Sequence, residues 1–70
     1  MLGIGKIAWS KMYQWVLSVG VDRAIVVWTL STGRPLRRLE GHLSTVTDVA
    51  AVDSHHLIVS VSNDGTIKLW

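Results

Sequence analysis

The chain repeats itself. Displacing the 70-residue sequence by 42 positions lays GVDRAIVVW (20–28) over SNDGTIKLW (62–70), bringing Asp22 onto Asp64, Ile25 onto Ile67 and Trp28 onto Trp70. Over residues 4–28 against 46–70 six positions are identical, and six more exchange one large apolar residue for another without a gap. A fixed period of this length means one supersecondary unit used more than once, each unit presenting a face that only a neighbour can cover.

Within each unit the local pattern is that of strands. Short apolar and β-branched runs, too short for helices, alternate with turn residues at about ten-residue spacing, which favours antiparallel hairpins. Strands are expected near 4–9, 14–19, 24–30, 35–40, 46–52, 56–61 and 66–70, and no helix is needed. Asn63-Asp64-Gly65 is the clearest hairpin turn, because glycine accepts positive φ without steric cost. Residues 31–35, STGRP, supply a second, with Pro35 opening a strand where its missing N–H can face solvent. That strand carries Arg37, Arg38 and Glu40, charges that suit an exposed sheet edge.

Composition narrows the class further. At 49% hydrophobic and 17% charged the chain is not a disordered one. Its longest apolar run, 24–28, is far below the roughly 20 residues that cross a bilayer, and residues 1–9 lack the form of a cleavable signal. A cytoplasmic or otherwise intracellular protein with no membrane contact is the expectation. Without cysteine there is neither a disulfide staple nor a thiolate metal site. The formal charge of +2 is a weak argument for nucleic acid, since only Arg34, Arg37 and Arg38 cluster and they read first as a solvated edge.

Gly41-His42, two apolar strands, and then the run Ser60 to Asp64-Gly65 to Trp70 together resemble a WD repeat, the forty-odd-residue unit of β-propellers. The likeness runs from about Ile4 to Trp70. It implies an all-β fold of antiparallel four-stranded blades, a first blade over about 4–40 and a second, incomplete one over about 46–70. It also implies a buried hydrogen-bonded tetrad of His42, Ser60, Asp64 and Trp70, with a partial counterpart of Ser18, Asp22 and Trp28 in the first unit. The residue types suit that role: hydroxyl and neutral imidazole both donate and accept, the carboxylate accepts, and the indole N–H donates. Departures are Thr29 after Trp28 where the family usually has Asp, and Val21 and Arg23 in place of small turn residues. Both ends look cut. Fewer than two blades should not stand alone, so the remaining blades of a larger propeller, or copies of the chain, are expected partners.

The function that follows from the resemblance is a non-catalytic scaffold that presents loops and blade edges to other proteins, with no cofactor. Arg23, Ser44, Thr45 and Asn63 are the candidate contacts on one rim, formed by residues 41–45 and the hairpins at 21–23 and 63–66. Two readings compete. Ser60, His42 and Asp64 supply the residue types of a hydrolase triad, but no Gly-x-Ser-x-Gly elbow accompanies them. A basic edge at Arg34, Arg37 and Arg38 is the nucleic-acid alternative. His55 and His56 are neighbours that would point to opposite faces of a strand, poor geometry for one metal ion, and read as a solvated hairpin end. Trp9, Tyr13 and Trp15 are expected to pack in the core or between blades.

Overall fold

In the computed structural model, which describes residues 4–70, the regular structure is all-β apart from a single short turn of 3₁₀ helix. The strands are β1 (Ile4–Ser10), β2 (Trp15–Gly20), β3 (Ala24–Thr29), β4 (Pro35–Glu40), β5 (Val46–Val52), β6 (Leu57–Ser62) and β7 (Ile67–Leu69). β1 to β4 form one antiparallel sheet in chain order, and β5 to β7 form a second of three strands. The two stack into a body of 31 × 27 × 16 Å.

The register repeats along with the sequence. Ile7 lies opposite Ser18 and Val49 opposite Ser60, while Val19 pairs with Ile25 and Val61 with Ile67. Even the irregularities recur: β1 slips against β2 between Ile4 and Lys6, and β5 slips against β6 between Val46 and Asp48. The second slip has a packing consequence. Val46 and Val49 stand three apart, so strict alternation would send them to opposite faces; the bulge restores both to the core.

That core is one cluster between the sheets. Leu17, Val19, Ile25 and Val27 face it from the first sheet, and Val46 and Val49 from the second, with Trp15, Leu39, Ala51, Ile58 and Trp70 packed around them. β-Branched side chains dominate because they fill a pleated surface with little rotamer freedom to lose.

Two expectations need correction. The β5–β6 connection contains a 3₁₀ turn, Asp53–His55, where the sequence pattern suggests only a loop. Trp9 is 58% exposed rather than packed in the core or between the sheets, although Trp15 packs against the core. Trp9 alternates in phase with a face that nothing among the described residues covers. Tyr13 packs between the sheets as expected: it stacks on Trp15, with ring centroids 4.5 Å apart, and its hydroxyl hydrogen-bonds the His56 imidazole of the other sheet.

That contact belongs to a clasp between the two sheets. The Ser10 hydroxyl donates to Asp53 Oδ1 at 2.6 Å, and the Met12 N–H donates to Asp53 Oδ2 at 3.1 Å. These two donors, the hydroxyl first, hold the Asp53 carboxyl below its ordinary pKa. No helix among the described residues is long and apolar enough to cross a membrane.

Candidate functional site

Glu40 ends β4 opposite Ala24, the first residue of β3, so the β4–β5 loop emerges beside the β2–β3 turn. Val46 pairs with Ser62, which brings the β6–β7 turn to the same edge. Residues 21–23, 41–45 and 63–66 therefore share one rim of the stacked sheets.

A buried polar network organises this rim. Trp70 Nε1–H donates to Ser60 Oγ at 2.9 Å, and Ser60 Oγ lies 2.7 Å from His42 Nε2. On its other side His42 Nδ1 lies 3.1 Å from Thr66 Oγ1 and 3.5 Å from Asp64 Oδ2. Thr66 Oγ1 in turn donates to Asp64 Oδ1 at 2.5 Å. One assignment of protons satisfies every member: the imidazole carries its hydrogen on Nδ1, Nε2 accepts from Ser60, and Ser60 accepts from the indole. Hydrogen bonds then run in one direction from Trp70 to the Asp64 carboxylate, an arrangement in which each bond polarises the next.

The carboxylate also holds the rim loops. Asp64 Oδ2 accepts the Leu43 N–H at 2.8 Å, and Oδ1 accepts the Thr66 N–H at 2.9 Å. The Thr66 hydroxyl, then the Leu43 and Thr66 backbone N–H groups and His42, keep the Asp64 carboxyl well below the usual carboxylate range. Ser62 Oγ donates to the Ser44 carbonyl at 3.2 Å, and the Asn63 N–H donates to the Thr45 carbonyl at 3.0 Å. Loop and hairpin are thus one hydrogen-bonded surface, not two independent segments.

Gly41 begins the loop at φ +154°, and a Cβ there would lie 3.2 Å from the Trp70 ring. The backbone passes over the indole closely enough that a side chain would force one of them aside.

The first sheet holds a related but different arrangement. Trp28 Nε1–H donates to Ser18 Oγ at 2.9 Å, the same bond as Trp70 to Ser60. Asp22, however, faces a guanidinium: its Oδ2 lies 3.4 Å from Arg38 Nη1, and its buried Oδ1 has no hydrogen-bond partner among the described residues. Arg38 is also bound by Glu40 at 2.9 Å, and Glu40 before Asp22 raises its pKa. Sequence comparison between the units gives no hint of this cation, because Arg38 has no counterpart within the second.

Of the predicted contacts, Arg23 and Asn63 are exposed, whereas Ser44 and Thr45 are half-buried with their carbonyls engaged. Sequence reading missed two residues. Thr66 is the hydroxyl between imidazole and carboxylate, and only the folded hairpin shows it. Leu43, 80% exposed, is the most solvent-accessible large apolar residue on the rim, held out because its N–H is tied to Asp64.

Comparison with known proteins is consistent with the repeat. The family model described as WD domain, G-beta repeat, matches residues 2–29 and 33–70. Protein hir1 of Schizosaccharomyces pombe is 37% identical over 67 residues, covering 96% of this chain and 7% of that protein. Telomerase protein component 1 of Mus musculus is 41% identical over 63 residues, covering 90% of this chain and 2% of its own length. Pre-mRNA-processing factor 19 of Mus musculus is 40% identical over 55 residues, covering 79% of this chain and 11% of its own. The chain thus spans only a small part of the relatives it matches.

Proposed function

This chain belongs to the WD domain, G-beta repeat family, and we propose that it is a non-catalytic binding module in which the first sheet is one propeller blade, the second is an incomplete one, and the rim around Leu43 grips a partner protein. Repeats of this family generally mediate contacts between proteins. The observation that carries the reading is the rim itself: a buried network holds the β4–β5 loop and the β6–β7 turn together, with Leu43 and Asn63 out in solvent, and Val21 and Arg23 of the β2–β3 turn are exposed on the same rim. An apolar side chain ringed by polar ones on a preorganised surface loses little entropy on binding. Two relatives bear the names telomerase protein component 1 and pre-mRNA-processing factor 19, which fit an intracellular setting, the one we propose here.

The same network argues against hydrolysis. Ser60 Oγ accepts the indole N–H, contacts His42 and is fully buried, so its hydroxyl cannot reach a substrate. The basic-edge reading loses one of its three cations, since Arg38 is paired with Asp22 and Glu40. Affinity capture with quantitative mass spectrometry tests the proposal. Leu43→Asp combined with Arg23→Glu should reduce recovery of the bound protein at least about tenfold, while Met12→Asp on the opposite rim leaves it unchanged. Equal recovery with all variants would refute a rim-mediated contact.

A further inference from the structure

The geometry points to head-to-tail association of this chain with copies of itself, through the two outer faces of its stacked sheets. The chain already contains the interface in question. Between its sheets, Val49, Ala51 and Ile58 of the second lie against Leu17, Val19, Ile25 and Val27 of the first. Each side of that contact has a counterpart 42 residues away on an outer face. Val49 and Ala51 correspond to Ile7 and Trp9 on the outside of the first sheet. Leu17, Val19, Ile25 and Val27 correspond to Val59, Val61, Ile67 and Leu69 on the outside of the second.

The exposures separate the two settings. Val49 is 5% exposed and its counterpart Ile7 is 63%; Ile25 is 0% exposed and its counterpart Ile67 is 69%. Strand register and bulge position are the same in both units, so the outer faces present their side chains on the same lattice as the inner ones. A second copy can therefore lay its Ile7 and Trp9 face on Val61, Ile67 and Leu69 as β5 lies on the first sheet.

The contact is heterologous: each copy uses both faces, and the series ends only by closing. Stacked sheets of this type close with roughly 4 to 8 members, which is about two to four copies of a two-sheet chain. The surfaces are distinct from the rim, whose loops lie at the strand ends and stay free, so this inference does not depend on the binding role above.

Light scattering on the size-fractionated 70-residue chain tests it, with strand content followed by circular dichroism. A discrete species of about two to four times 7.7 kDa is expected. Ile7→Lys blocks one face and Leu69→Lys the other, so each variant alone should be a monomer. Mixed one to one, they should form a heterodimer through the two intact faces, doubling the mass. Trp9→Lys with Ile67→Lys is the second pair, used if either variant of the first loses strand signal. A wild-type chain that stays monomeric or unfolded, as it would if its faces serve repeats of a longer protein or a foreign sheet, overturns the proposal. Variants that still self-associate singly, or do not pair when mixed, overturn the head-to-tail geometry.

Discussion

His42 is where the energetics of the rim concentrate. Its two ring nitrogens join a hydroxyl that accepts an indole N–H to a hydroxyl that donates to a carboxylate, so removing the ring strands groups on both sides. A buried polar group left without a partner costs about 1–3 kcal/mol, and His42→Ala is expected to lower the unfolding free energy by that amount in urea melts. His55→Ala, at an exposed position, should stay within about 0.5 kcal/mol of wild type. The network and the Asp53 clasp together set a pH dependence. Asp64 and Asp53 are held below the unfolded value of 3.8, so their contribution is complete above that value and is lost as pH falls through it toward their folded pKa. Stability should therefore decline between about pH 5 and pH 2. Asp64→Asn, less stable at neutral pH, should show a shallower decline when urea midpoints are compared across that range.

At the scale of single elements, the turns show what two copies of one design can tolerate. Arg23 and Gly65 occupy the same place in their units, and both are left-handed, at φ +67° and +84°. The conformation costs a side chain about 1–2 kcal/mol that glycine avoids, less about 0.5–1 kcal/mol for glycine's greater freedom when unfolded. Arg23→Gly is therefore expected to raise the thermal midpoint, with a net gain of up to about 1.5 kcal/mol, while removing a cation from the rim. The strands themselves were legible in the sequence because β-branched runs and turn residues alternate on a period that occurs twice. The 3₁₀ turn at Asp53–His55 was not, since three residues carry no helical periodicity and its anchor, Ser10, lies in the other sheet. Thr66 was hidden for a similar reason: its hydroxyl acquires a role only once the hairpin meets the β4–β5 loop. Trp9 shows the same limit from the other side. Alternation assigns it to a face with Ile7, but whether a face is covered depends on a neighbour that alternation within the strand cannot reveal.

For the molecule as a whole, the inner contact and the two outer faces are parts of a single thermodynamic problem. A compact chain of this size buries only about 60% of the surface its unfolded form exposes, which leaves little margin for keeping Ile7, Trp9, Ile67 and Leu69 in water. Association removes that surface from water, and anything that binds the folded chain alone adds to its apparent stability by mass action. Folding and assembly should therefore be coupled, and the thermal midpoint should depend on concentration. Each tenfold rise adds about 0.7–1.1 kcal/mol per chain for an assembly of two to four copies, and a domain of this size gains roughly 4–8 °C per kcal/mol. Calorimetric scans over a hundredfold range of concentration should accordingly show a midpoint that climbs steadily. Ile7→Lys deprives every copy of the same face, so no pair in its solution can form, and its midpoint should be flat over the same range. A wild-type midpoint equally flat would mean that the two sheets reach their full stability without any neighbour.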